Sequence, residues 1–186
     1  MRKAIIILAA FLGMGEALAA GQNAAVSTNI LEYANYGTLN MEGLVALSRH
    51  WSVMAGVRYN PFSYEGGAEG LGRQNKQQTY TLGARWWPWH IFSGWWMSGH
   101  LQYQEYNTGG LKSPQTREGD RVGAGVSGGY TYMLGKHMNL EVGAGVWTGA
   151  DNYVKYACPR CGRTVDAGNG IFFLVNDVLL SLSYVF

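Results

Sequence analysis

The chain has 186 residues, the size of one domain. Its 14 Lys and Arg against 12 Asp and Glu leave a net charge of +2, which offers no basic face and points away from nucleic acid. Glycine is about twice as frequent as usual, with 27 residues; Tyr and Trp number 12 and 7, and there are only 4 Pro, a composition of β formers rather than helix fillers.

The chain opens with MRKAIIILAAFLGMGEALAAGQ. Arg2 and Lys3 precede the short apolar run 4–12, and Ala17, Leu18 and Ala19 form a small-x-small cleavage site. This predicts a secretory signal peptide over 1–20, with 21–186 as a single exported domain. The apolar run is too short for a spanning helix, and no later stretch reaches the ~20 apolar residues one requires.

Period-two alternation then recurs eight times, predicting strands at 24–31, 38–47, 51–60, 78–87, 94–104, 121–133, 137–148 and 175–186. Most are about ten residues, the length of a tilted bilayer-crossing strand. One face of each is apolar: Trp51, Val53, Ala55, Val57 and Tyr59 in the third; Trp95, Met97, Gly99, Leu101 and Tyr103 in the fifth; Val178, Leu180, Leu182, Tyr184 and Phe186 in the last. Aromatics concentrate at strand ends, as in the girdles of outer-membrane barrels. Trp51, Trp86, Trp89, Trp95, Tyr184 and Phe186 are the expected girdle or partner-contact residues, within an aromatic cluster that also includes Trp87 and Trp96.

The opposite faces hold polar residues and glycines. Arg58, Arg85 and Arg121 are expected to neutralise Glu42, Glu141 and Asp177 inside a narrow lumen, because buried charges must be paired and eight strands enclose only enough room for side chains. The connections 48–50, 88–93 and 134–136 are short, while 61–77, 105–120 and 149–174 are long. That pattern predicts an all-β fold, an eight-stranded antiparallel transmembrane β-barrel of outer-membrane type. Both termini would face the periplasm.

Several residues invite a chemical reading. CPRCG holds the only cysteines, Cys158 and Cys161. Their spacing suits a structural disulfide in an oxidising compartment, the expected state; a redox pair and half of a zinc site are the alternatives. A zinc site wants four ligands, and no histidine lies in that loop. Lipid-modifying barrels of the deacylase or acyltransferase type use a His with a Ser and an acid, for which His100, Ser98 and Glu141 are the candidates. Residues two apart on one strand are about 7 Å apart, too far for direct contact, so a structural role for His100 is expected.

The stretches TNILEYANYGTLNMEGLVALSRHWSVMAGVRYNPF, ARWW, YQEYNTGG, GAGVSGGYTYMLGKHMNLEVGAGVW and KYACPRCG together resemble a Bacteroidetes family catalogued as domain of unknown function 3575 (DUF3575). The resemblance runs from about Val26 to Phe186. It implies a small outer-membrane barrel of the cell envelope and carries over no activity or site residues. The resulting expectation is a non-catalytic structural or accessory component of an envelope complex, without a cofactor. Its partners would be outer-membrane lipid and lipopolysaccharide, another envelope protein, and the barrel-assembly machinery during insertion. A lipid-modifying enzyme and a small passive channel are the alternatives.

Overall fold

A computed structural model of the chain describes residues 23–64, 73–110, 115–158, 162–175 and 178–186. The expected signal peptide and Asp177 lie outside these residues, as does Cys161. The strands are β1 (Ala24–Asn29), β2 (Leu39–Ala46), β3 (Trp51–Asn60), β4 (Ser63–Tyr64), β5 (Arg73–Trp86), β6 (Gly94–Gly109), β7 (Thr116–Met133), β8 (Met138–Tyr156), β9 (Thr164–Leu174) and β10 (Leu179–Val185); a single helix, α1 (Ile30–Ala34), follows β1.

These strands form one antiparallel sheet with eight walls. β3 and β4 both pair with β5 and share a wall. β9 and β10 both pair with β8 and share another. Closure comes from β1 against β10, with Val26 opposite Tyr184, and the Phe186 N–H donates to the Ala24 carbonyl at 2.8 Å. The fold is thus the expected closed eight-stranded barrel.

The register fixes its shape. A path leaving β8 at Trp147 crosses Gly125, His100, Gly83, Met54, Leu44, Ala25 and Val185. It returns at His137, the residue before β8, whose carbonyl accepts from the Val185 N–H, ten residues from its start. With eight strands and that stagger, the strands tilt about 40° from the barrel axis.

Side chains sort as the alternation predicts. Trp51, Tyr59, Tyr80, Leu82, Trp95, Met97, Leu101, Tyr103, Val122, Val126, Val142 and Tyr184 face outward and are exposed. Ser52, Arg85, Ser98, His100, Gln102, Glu141, Ser181 and Ser183 face inward and are buried. The outer face is therefore apolar and the lumen polar, the reverse of a soluble sheet over a hydrophobic core.

Three expectations about extent need correction. The first strand stops at Asn29, because that side chain caps α1 by accepting from the Leu31 N–H at 3.1 Å. The long connections are largely strand: β5, β6, β7, β8 and β9 run on well past the apolar band. Apolar alternation ends there because the outer face becomes polar, through Gln78, Glu105 and Asp120, while the hydrogen-bonded ladder continues. The last strand begins at Leu179 rather than at residue 175.

Candidate functional site: the filled lumen and its two ends

At the short-turn end the lumen is closed by apolar side chains. Ala25, Leu44, Met54, Trp87, Phe92, Trp96 and Val185 form one buried cluster. Phe92 enters it from the β5–β6 turn with a left-handed backbone (φ 60), a conformation a bulky residue rarely adopts without packing to hold it. Its ring meets Trp87 edge-on at 5.9 Å, and its carbonyl accepts from Asn139 Nδ2 at 2.9 Å. This corrects the expected aromatic cluster. Trp86, Trp89 and Trp95 face outward as expected, but Trp87 and Trp96 point into the barrel, because adjacent residues of a strand occupy opposite faces. Trp51, Tyr184 and Phe186 complete the outward set, and Tyr184 stacks on His137 at 5.6 Å.

Arg85 sits above this plug, almost wholly buried. Its Nη2 donates to Glu42 Oε1 at 2.7 Å and its Nη1 to Glu141 Oε2 at 2.8 Å. The guanidinium also lies over the Trp96 ring, 4.0 Å from its centroid. Its register neighbours Ser52 and Ser98 are short, which leaves the arginine free to reach across the lumen. Glycines clear the opposite wall. A Cβ on Gly129 or Gly143 would come within 2.7 or 3.1 Å of the Trp96 ring, and one on Gly125 would lie 2.4 Å from His100 Nε2. Here glycine is a requirement of volume: the large polar and aromatic side chains lie flat over residues that have none.

The rest of the expected ionic network is regrouped. Arg58 faces Glu32 of α1 at 3.7 Å. Arg121 faces Asp151 at 3.4 Å, and Arg117 reaches the same carboxylate at 2.7 Å. Tyr106 donates its hydroxyl to Asp151 at 2.8 Å, and the Arg121 guanidinium lies 3.9 Å from the centre of the Tyr106 ring. Asp151 is thus a second hub, placed by sequence reasoning in a loop but standing inside β8. Its inward position follows from strict alternation with Ala150 and Asn152, a signal hidden by the end of the apolar pattern.

The candidate catalytic residues do not assemble. Ser98 Oγ is hydrogen-bonded to Ser127 Oγ at 2.6 Å, and Glu141 is held by Arg85. His100 lies across Gly125, within electrostatic reach of Glu42. All three are inside the barrel, away from the apolar outer wall. The central cavity that His100 and Glu141 help line, with Glu42, Arg58 and Arg85, measures about 40 Å³. That is room for a water or two.

The expected Cys158–Cys161 disulfide falls partly outside the described residues, since Cys161 is not among them; Cys158 itself is not a free thiol. Among the described residues no group of three His, Cys, Asp or Glu is arranged to hold a metal ion.

At the long-hairpin end the sheet forms an open concavity of about 980 Å³, lined by Tyr59, Gln78, Glu105, Asp120, Asn152 and Asn169 among others. On the inner face nearby, Lys155 Nζ donates to Asp166 Oδ2 at 2.8 Å. That hydrogen bond holds the Asp166 carboxyl below its ordinary range and raises the Lys155 ammonium above its own.

Together these features define a closed eight-stranded antiparallel β-barrel with an apolar outer wall and a lumen filled by paired charges and aromatic rings. The chain belongs to the family described as "Protein of unknown function (DUF3575)", whose model matches residues 4–186. No curated protein and no solved structure matches it.

Proposed function

We propose that this protein is an outer-membrane β-barrel that serves as a structural or accessory component of an envelope complex and performs no chemistry of its own. The observation that carries the proposal is the inversion of its faces. Leu82, Met97, Leu101, Val122 and Val126 are exposed in a continuous outer band, while Arg85, Glu141 and Asp151 are buried inside with their partners. Water would not select such an outer surface, and hydrocarbon would. Tyr59, Tyr80 and Tyr103 at one edge and Trp51, Trp86 and Trp95 at the other match the interfacial girdles of a membrane barrel. The short turns and both chain ends then share the periplasmic side.

The small central cavity and the apolar plug favour a support over a channel. The bonds that occupy Ser98 and Glu141 favour it over an acyl-transferring enzyme. Proteoliposome conductance tests the filled lumen: the reconstituted protein should show no steady large conductance, and a stable open pore would refute it. Purification from native membranes in mild detergent tests the accessory role, which predicts a reproducible larger complex; a lone barrel would count against that role.

A further inference from the structure

The barrel is not closed along its whole height. β1 ends at Asn29 and turns into α1, so closure against β10 covers only the short-turn half. Higher up, β9 pairs with β8 along Thr164–Leu174, and among the described residues no strand lies on its other side. Thr164, Val165, Asp166, Ala167, Asn169, Gly170 and Ile171 are exposed, which places both faces of this strand in the open. A free edge presents backbone N–H and C=O groups ready to receive another strand.

Edges of this kind are usually guarded by lysine, proline, a bulge in mid-strand or an inward charge. β9 has the sequence TVDAGNGIFFL. Its one charge, Asp166, lies near the tip and is paired with Lys155. Its one irregularity, opposite Lys155 and Tyr156, is also at the tip. Its lower half, toward Leu174, carries no charge and is apolar on the outward row, where Ile171 is 90% exposed and Phe173 66%.

Contact with hydrocarbon does not account for Ile171. A register row runs from Tyr59 through Gln78, Glu105, Asp120 and Asn152 to Asn169. At the barrel's tilt each strand step lifts that row about 3 Å along the axis, so Asn169 stands about 15 Å above Tyr59 and Ile171 about 10 Å above it. Ile171 therefore lies beyond the tyrosine girdle. The inward row of the same strand carries Gly168 and Gly170, and a Cβ built on Gly170 would meet nothing within 4 Å. The edge thus offers an apolar outward row beside an empty inward seat.

We propose that the β9 edge takes up an extended segment of a partner polypeptide as an added strand. Its outward side chains are apolar and lie against Ile171 and Phe173. An aromatic side chain on its inward row fills the space over Gly170, the pairing by which an aromatic covers a glycine in a sheet. Backbone pairing supplies the affinity and alternate side chains the selectivity. A second copy of this chain does not fit. Antiparallel pairing of two β9 strands would turn one barrel upside down in the membrane. A two-fold axis along the membrane normal would set N–H against N–H at equal height. This inference rests on the outer-membrane reading and names the surface through which the accessory role is exercised.

The test uses the full chain in phosphatidylcholine vesicles and a fluorescein-labelled nine-residue peptide of alternating valine and tyrosine with lysine at each end. Saturable binding is expected, with hydrogen exchange of the β9 amides slowed about tenfold or more on binding. Gly170→Trp fills the seat from within its own chain, its Cβ entering open space, and Ile171→Lys charges the outward row. Each should weaken binding about tenfold or more, equivalent to about 1.4 kcal/mol, while the heat-modifiable mobility of the folded barrel stays unchanged. The proposal is overturned by any of four results: no saturable binding, equal binding of a peptide with proline at every valine, β9 amides already protected without peptide, or a dimer abolished by Ile171→Lys. Flotation with the vesicles is scored separately, since failure to float refutes the membrane reading rather than the edge.

Discussion

Replacing Arg85 with methionine removes the cation that bonds both the buried Glu141 and the half-buried Glu42 in the lower lumen. Glu42 and Glu141 each accept one of its hydrogen bonds, at 2.7 and 2.8 Å. Breaking a buried pair by deleting one partner costs about 3–5 kcal/mol, because the other charge stays behind without compensation. Loss of the guanidinium from the Trp96 face adds roughly 0.5–2 kcal/mol. The single variant should therefore lose about 3.5–7 kcal/mol of stability, roughly two and a half to five decades in the folding equilibrium. A triple variant carrying Arg85→Met, Glu42→Gln and Glu141→Gln removes the uncompensated charges as well, and should recover all but about 1–2 kcal/mol. The assay is reversible urea unfolding in phosphatidylcholine vesicles, followed by tryptophan fluorescence. A single-variant loss below about 1 kcal/mol, or a triple variant no more stable than the single, would refute the claim that this arginine neutralises a closed polar core.

Other consequences are as direct. Gly125→Leu drives a side chain into His100 and Trp147 and should cost more than the ~1–3 kcal/mol usual for overpacking, read as loss of the compact band in unheated gel electrophoresis. Asp151→Asn removes both ion pairs at the upper hub and should lower local stability by about 1.5–3 kcal/mol, seen as faster amide exchange in the upper halves of β7 and β8 with little change below. The Lys155–Asp166 bond should weaken at both pH extremes. The lowered Asp166 carboxyl contributes stability above its unfolded value near 3.9 and loses it as pH falls through the folded value. The raised Lys155 ammonium contributes below its unfolded value near 10.4 and loses it as pH rises through the folded one. Carbonyl-carbon NMR of Asp166 checks the acid limb, and an Asp166 titrating at or above 3.9 would contradict it.

How far the sequence revealed this fold depends on where each residue stands. Between the two aromatic rings, an apolar outer face and packed polar groups inside impose a strict period of two, so Met97, Leu101 and Arg85 stand on the faces that alternation predicts. Above the tyrosines both faces turn polar, and the period vanishes although the ladder continues. The upper parts of β6, β7 and β8 therefore read as loop from the sequence, and Asp151 carries no visible mark of an interior acid. Trp87 and Trp96 were grouped with their outward neighbours by composition, when alternation already set them inside. The pairing of Arg58 with Glu32 could not be read at all. It depends on Asn29 ending β1 and starting a helix that turns its glutamate inward, a local switch that alternation does not report. The Ser98, His100 and Glu141 constellation failed for a simpler reason: residues sharing a lumen acquire nearer partners from other walls, here Ser127 and Arg85.

The central claim is that this barrel wears its apolar residues toward lipid and its charges toward its own axis. Tryptophan quenching by brominated phosphatidylcholine measures that orientation residue by residue. In vesicles of that lipid, variants retaining only Trp51, Trp86 or Trp95 should be strongly quenched, and variants retaining only Trp87, Trp96 or Trp147 should keep their emission. Strong quenching of the second group with the first group bright in water would mean that the faces are inverted and the account is wrong.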